Sequence, residues 1–586
     1  MKNTTKLLLG FAILATVNFL LIACDNESDS DIFIVTFNSN GGSAVPSQEV
    51  PDGGKAAKPK GVSQQVNFAL EGWYTDNNTF ENKWNFDMDT VIEDITLYAR
   101  WQAVSTLDYE DFGPVLVTTT YTVANAVHWI NAVDAISNGG DDKAYIINIT
   151  GDFSIEGIEN YYDSYSYRYY YETSTFSEIN DVTVSLRSDG KIITLSDDGN
   201  SLLCMWKSQN LIIRNVNLLG NNSNGSIVYI EDGIFSMHGG EIKNNMVSED
   251  TIDYADGVYI NKGNFTMYSG KISGNNCCGV HISEGTFIMY NGEISGNEGT
   301  GVSARTFTMH NGKISNNEGT GVSAGTFTMY NGKISNNEGT GVQSSNFTMH
   351  NGEISGNGYN GVRNFVGSFI MNGGTISNNT NIGVSIYVQS NRSSSFIMNE
   401  GIISGNLGGG VSTSVHVSGG ESNIIMNGGT ISGNTAEHGG GVYLYDWYGN
   451  GNINFTMNGG TISGNSASGD SYGGGYGGGV YAFGANKNFT MTGGIISGNT
   501  AYTGGGVCAG KFFTKYGGII YGENEGVNSN IVSGGNTCGY AVYMDFFYDG
   551  KFFTGYRNTT LGEDDYITTS NELPEIVGET LNGWTR

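Results

Sequence analysis

The chain has 586 residues, with Lys+Arg 27 against Asp+Glu 57 and a formal net charge of −30. So acidic a balance excludes a nucleic-acid binder, and it excludes docking on anionic lipid by charge alone. Gly 89 beside only Pro 5, with no Gly-X-Y period, excludes collagen and points to many tight turns.

In chain order, Lys2 and Lys6 precede an apolar run from Leu7 to Ile22, which closes as Leu21-Ile22-Ala23-Cys24. A basic head, a short apolar core and a small residue before the cut are features of export. The run is about sixteen residues long and is broken by Asn18, which is short for a membrane span. Its last four residues resemble the lipobox of bacterial lipoproteins. That resemblance implies that residues 1–23 are a signal peptide, that Cys24 is lipidated, and that its acyl chains anchor the protein at the outer membrane or cell surface of a bacterium. Residues 24–31 read as an acidic, solvated tether.

Residues 32–102 form a separate unit. Ile32 to Phe37 alternates like a strand and runs into Asn38-Ser39-Asn40-Gly41-Gly42, a strong turn signal. Phe68 to Tyr74 and Ile95 to Trp101 are two further strand regions. The segments VTFNSNGG, LEGWYTD and ITLYARW, with the Trp84/Phe86 pair, resemble the Listeria–Bacteroides repeat, the internalin-type B-repeat. The resemblance implies a small β-grasp-like module of bacterial surface proteins, with a spacer or binding role and no catalytic residue to carry over.

Residues 103–150 read as a linker and an N-terminal helical cap. Val123 to Ile136 has apolar residues at helical spacing and stops at Asn138-Gly139-Gly140. Tyr145 to Ile149 is then a strand. A helix at this point would cover the unpaired edge of whatever follows. Tyr161 to Tyr171 reads as a projecting loop, and Val182–Leu186, Ile192–Leu195 and Leu211–Ile213 as further strands.

From residue 287 the chain nearly copies itself every twenty residues. Phe287, Phe307, Phe327 and Phe347 keep that spacing, followed by Met289, Met309, Met329 and Met349, then Ile294, Ile314, Ile334 and Ile354, then Val302, Val322 and Val342. A fixed period of this size means stacked supersecondary units. Phe and Met two apart share one face of a strand; Asn-Gly breaks the run; Ile and Val begin two more short strands. Three strands and three turns make one rung of a parallel β-helix, with Phe, Met, Ile and Val buried beneath the same residues of the next rung. The rung motif recurs from Phe235 to Phe513, and its spacing widens up to 34 through Gly/Tyr/Ser-rich segments such as 446–452 and 466–478. Asn275, Asn297, Asn317, Asn337, Asn357 and Asn379 recur at one turn and are expected to form an amide ladder.

Later rungs pair Ile431-Ser432-Gly433-Asn434 with Gly439-Gly440-Gly441-Val442. They resemble chlamydial-type polymorphic outer-membrane proteins and pectate-lyase-like adhesins, although Gly-Gly-Gly-Val and Ile-Ser-Gly-Asn stand where that family carries Gly-Gly-Ala-Ile-like and Phe-x-x-Asn-like motifs. The resemblance implies a right-handed helix and surface adhesion. The expected fold class is therefore mainly β: a long right-handed parallel β-helix over 151–545, preceded by the small module and followed by a C-terminal cap and tail over 546–586.

One surface feature is ordered. The residue after each inward Met is Tyr268, Tyr290, His310, Tyr330 and His350, so strand alternation turns these rings outward in a stripe. Lys271, Glu293, Lys313, Lys333 and Glu353 run beside them. An aromatic stripe is a candidate surface-binding site for sugar rings or a protein; the alternative is that the rings pack on one another and stiffen the sheet. No catalytic, metal or cofactor site is expected. No paired carboxylates with a basic group stand in order, Glu437-His438 has no partner carboxylate nearby in sequence, and the acidic Glu563-Asp564-Asp565 lies in the tail. Cys204, Cys277, Cys278, Cys508 and Cys538 show no metal-site spacing, and the adjacent pair is expected not to face itself. The function expected is non-catalytic adhesion to a host or matrix glycan or protein by a monomer held at the membrane through Cys24. The alternatives are a polysaccharide lyase or hydrolase on the same fold and a passive spacer.

Overall fold

The computed structural model describes residues 31–585 apart from 41, 60–67, 78, 104–110, 113–116, 159, 164–167, 172–173, 178, 197–200, 222–224, 247–254, 390–391, 416–419, 447–450, 470–472, 485, 511, 534–538, 549–550, 569–574 and 578–583. It divides into two compact units, the second beginning at Val117.

In the first unit, β1 (Ile32–Asn38), β2 (Gln48–Pro51), β3 (Phe68–Tyr74) and β4 (Ile95–Ala103) form one sheet in the order β2-β1-β4-β3. β1 and β4 are parallel, and the outer pairs are antiparallel. The alternation read in the sequence buries Val35, Phe37, Trp73 and Leu97, with the Phe37 ring 5.0 Å from Trp73 in an edge-on contact. Phe86 stacks at 6.5 Å on the same Phe37. β2 was not foreseen: Gln-Glu-Val-Pro is too short and polar to show a period, and it becomes a strand by pairing with the edge of β1.

The second unit opens with β5 (Val117–Val123), which pairs in parallel with β6 (Ala144–Ile149) across helix α1 (Ala126–Ser137). Asn125 caps that helix, its Oδ1 accepting from the His128 N–H at 3.0 Å. Trp129, Ala132 and Ile136 on its inner face join the core of the first rung beside Tyr145, Ile147 and Ile149. The Tyr-rich stretch is not an irregular loop. Residues 160–163 and 168–171 pair as antiparallel strands, in register from Asn160 with Tyr171 to Asp163 with Arg168.

The rungs then stack in register. Val302 pairs with Val322, Phe307 with Phe327, Met309 with Met329, and Ile314 with Ile334, all in parallel ladders. Every one of these side chains is buried. The Phe rings stack at 4.8–4.9 Å from Phe287 through Phe347, so each ring packs on its copy one rung away. The expected amide ladder is present and longer than read. Asn297 Nδ2 donates to Asn317 Oδ1 at 2.8 Å, Asn317 to Asn337 at 2.8 Å, and the series extends to Asn530. The same amides reach buried carbonyls, as Asn317 does to Ile294 O at 3.4 Å.

Beyond residue 430 the widened rungs hold a fourth strand as well as longer turns. Thr435–Ala436, Ser466–Ala467, Thr500–Ala501 and Ile531–Val532 pair in parallel as a separate four-stranded sheet. The Met column ends at Lys515, which aligns with Met491. Its ammonium donates to the carbonyls of Gly562 at 2.6 Å and Asp565 at 2.9 Å, so the acidic segment read as tail closes over the last rung. The C-terminal strands 542–548 and 551–557 pair antiparallel, which ends the parallel stack.

Candidate functional site

The stripe is positioned by two local rules. Phe and Met point inward on a strand such as Val302–Met309, and the next residue is the first of the turn, so its side chain leaves the sheet. The turn then needs glycine: Gly312 sits at φ +110°, and a Cβ there would lie 2.8 Å from the Gly292 carbonyl oxygen and 2.6 Å from Met289 Cε. Because every rung turns in the same way, the outward rings fall into one column. His238 and Tyr268 begin it at 4.2 Å; Tyr268–Tyr290, Tyr290–His310, His310–Tyr330 and Tyr330–His350 follow at 5.2, 4.7, 5.0 and 4.8 Å.

The interplanar angles decide what this column offers. They run from 4° to 17°, so successive rings lie face to face and each covers its neighbours. Solvent meets ring edges, phenol hydroxyls and imidazole nitrogens. Tyr268, Tyr290 and Tyr330 are 44–45 % exposed on that basis. A sugar ring stacks on an open aromatic face, and inside this column the faces are already taken. The column does not stop after His350 but changes chemistry. Asn399 Nδ2 donates to Asn372 Oδ1 at 2.8 Å, Asn427 to Asn399 at 2.8 Å, and Asn458 to Asn427 at 2.9 Å, an exposed amide ladder in place of rings.

The charged column beside it is paired. Lys271 Nζ lies 3.3 Å from Glu293, and Lys333 Nζ 2.8 Å from Glu353. A hydrogen bond from Ser295, with Lys271 adding to it, holds the Glu293 carboxyl below its usual range. The Lys333 ammonium and Ser355 do the same for Glu353. On this charged column lies a shallow polar depression of about 530 Å³, lined by Asn331, Lys333, Asn351, Glu353, Thr375 and Ser377. Cys24 lies outside the described residues.

Tertiary structure assembles two clusters that sequence reasoning missed. His438 packs among Tyr443, Tyr476 and Tyr481 at 5.4–6.1 Å, with tilted rather than parallel rings. Burial pushes the phenols of Tyr443 and Tyr481 well above their ordinary value. Glu437 next to His438 is exposed, and the His438 Nδ1 accepts from the Tyr476 N–H at 3.4 Å. The second cluster corrects the expectation that Cys277 and Cys278 cannot face one another. The chain bends at Asn276-Cys277, and both sulfurs lie with a carboxylate oxygen of Asp256 inside a 4.8 Å envelope. The signals for these groups are in the sequence, as breaks in the rung pattern, but nothing in the spacing brings them together.

Residues 33–100 match the Listeria-Bacteroides repeat domain, in agreement with the first unit's sequence features. Two proteins of Evansella cellulosilytica resemble part of the chain. One, provisionally named a Gly-rich membrane protein, is 37 % identical over 82 residues, which is 14 % of this chain and 9 % of that protein. The other, provisionally named a membrane protein, is 32 % identical over 84 residues, or 14 % of this chain and 12 % of its own. The chain thus spans about a tenth of the length of these relatives. No solved structure matches. Among the described residues no helix is long and apolar enough to cross a membrane.

Proposed function

We propose that this is an exported bacterial surface protein, lipid-anchored through Cys24, whose β-helix presents a repetitive polar face that binds a glycan or protein without chemistry. The observation that carries the reading is the match of residues 33–100 to the Listeria-Bacteroides repeat domain, joined in one chain to a stack whose outward columns repeat rung after rung. The membrane-protein names of the two partial relatives agree with a surface location. A repeating surface suits a repeating ligand, since each further rung adds the same contact at the same spacing. In this reading the stripe at Tyr268, Tyr290, His310, Tyr330 and His350 acts through its edges. Phenol hydroxyls, imidazole nitrogens and the adjoining Lys333–Glu353 depression offer hydrogen bonds to a polar polymer. The closed ring faces favour a second reading, in which the stripe only stiffens a passive spacer.

The test exchanges Tyr290, His310 and Tyr330 together for Ser and measures binding to a glycan array and to host-surface extracts, alongside thermal unfolding. Binding lost by at least about tenfold, with a stability loss of no more than the roughly 1–4 kcal/mol expected for four exposed cross-strand ring pairs, supports the site. Binding retained with lowered stability supports the spacer. Depolymerisation of a polysaccharide by the purified chain would replace both readings with an enzyme.

A further inference from the structure

The rung pattern is so regular that its departures can be mapped, and three of them meet at one point. Successive rungs carry Gly299-Thr300, Gly319-Thr320 and Gly339-Thr340 just before the Val strand, and Ser303 and Ser323 just after the inward Val. One rung earlier, Cys277-Cys278 stands in place of Gly-Thr and His281 in place of Ser. The rung before that places Asp256 directly beneath Cys278, as shown by the Gly257 N–H donating to Cys278 O at 3.0 Å and the pairing of Val258 with Val280.

Three of these side chains converge on a small space, and His281 stands at its edge beside Asp256. Ligand atoms of Asp256, Cys277 and Cys278 lie within 4.8 Å of one another. Asp256 is fully buried; one of its oxygens accepts from the Cys278 N–H at 2.8 Å, and the other, Oδ2, is buried with no hydrogen-bond partner among the described residues. An unsatisfied carboxylate oxygen in the interior is costly. Facing it is His281, whose Nδ1 lies 3.5 Å from that same Oδ2 while its ring packs edge-on against Tyr259.

We propose that Asp256, Cys277, Cys278 and His281 form a binding site for a thiophilic divalent d-block cation, with zinc as the reference ion. Two sulfurs, an imidazole nitrogen and a carboxylate oxygen are a borderline-soft tetrahedral donor set. Around such an ion neighbouring ligand atoms stand about 3.3–3.8 Å apart, so the 4.8 Å envelope needs a slight contraction and a small rotation of His281 to close. Binding deprotonates both thiols and releases two protons to solvent, and the cation gives Asp256 Oδ2 the partner it lacks. Such a site would clamp two adjacent rungs at the point where the near-identical repeats begin.

The experiment titrates the full-length reduced protein with Co²⁺ alone and follows the thiolate-to-metal charge-transfer band, then displaces Co²⁺ with Zn²⁺. One Co²⁺ per chain with that band, displaced by Zn²⁺, is the expected result. Replacing Cys277→Gly together with Cys278→Thr restores the pattern of the neighbouring rungs, so the fold is kept; it should remove the band and weaken binding at least about 100-fold. Asp256→Asn and His281→Ser should each weaken binding about 10–100-fold. The proposal is overturned if the reduced protein shows no charge-transfer band. It is equally overturned if the band survives Cys277→Gly/Cys278→Thr, or if the two sulfurs of the protein as purified are joined to each other and become open to alkylation only after a reductant is added.

Discussion

The rungs between residues 280 and 360 and those beyond 430 are built on the same four inward columns, yet they differ in what surrounds those columns. In the first region each rung takes twenty residues, or twenty-two where Val280 pairs with Val302, the four columns are uniformly apolar and the outward rings stack on their own copies. In the second region the same Val, Phe, Met and Ile positions hold register while the connections lengthen and a fourth strand appears. There inward positions beside those columns also admit charge. Lys487 aligns with Ile453, Asp446 aligns with Val415, and their side chains meet at 3.2 Å with almost no exposure. Register in a solenoid is therefore held by the strands and the Asn ladder, which run through both regions, and insertions are free to build new interior as well as new loops.

Substitutions at three places probe this comparison. The largest effect is expected for Phe327→Ala in the regular region. The ring is fully buried and stacked on both sides, at 4.9 Å on Phe307 and 4.8 Å on Phe347, so transfer, cavity and lost ring contacts should together cost about 4–5 kcal/mol. Hydrogen exchange should rise in the strands 302–309, 322–329 and 342–349 and stay unchanged beyond 430, because coupling runs between neighbouring rungs. Uniform loss of protection along the whole stack would show that the two regions form one cooperative unit.

An intermediate effect is expected at the buried pair of the later rungs. Lys487→Ile alone leaves the Asp446 carboxylate buried beside a hydrocarbon and should cost about 3 kcal/mol in denaturant unfolding. Adding Asp446→Val removes both charges and gives each position the residue of the preceding rung, Val415 and Ile453, and should bring stability back to within about 1 kcal/mol of the native chain. If the double change stays as damaging as the single one, Asp446 serves more than its lysine, beginning with the Gly451 N–H from which it accepts at 2.6 Å.

The smallest effect concerns Lys515 at the end of the stack. Burial lowers its pKa to about 8, against the opposing pull of Asp565, Glu563 and Asp564. Since the folded value lies below the unfolded one, the unfolded chain holds more protons from about pH 8 to the ordinary lysine range. The folded state should therefore gain stability as pH rises through that window. The difference in unfolding midpoint between the native chain and Lys515→Met should move in the native chain's favour over this interval and stay flat below pH 7. A flat difference throughout would mean that the ammonium is solvated and that the closing segment 562–565 does not hold it.

Much of the fold was legible because a repeat states its own register. Phe307 and Phe327 must stack once twenty residues separate them, and Asn317 must meet Asn337 for the same reason. Helix α1 was legible from its apolar spacing and its Asn-Gly-Gly stop, and the outward direction of Tyr290 and His310 followed from strand alternation. The ring planes did not follow. Alternation says which way a side chain leaves the sheet, whereas the rotamer that closes each face against its neighbour is chosen by the ring one rung away. The fourth strand beyond residue 430 was hidden because two-residue strands such as Thr435–Ala436 are too short to carry a period.

What the sequence by itself determined is the period, the four inward columns and the first unit's kinship, since each rests on residues near in the chain or on exact recurrence. What only the tertiary structure decided is every meeting of residues that break the recurrence. Asp256 with Cys277, Cys278 and His281, Asp446 with Lys487, and Lys515 with the carbonyls of Gly562 and Asp565 are all of this kind. The physical reason is common to them. Stacking brings residues one rung apart to within van der Waals distance, but an irregular connection changes how many residues that rung contains. The partner of an irregular residue is fixed only when the chain has closed around the core.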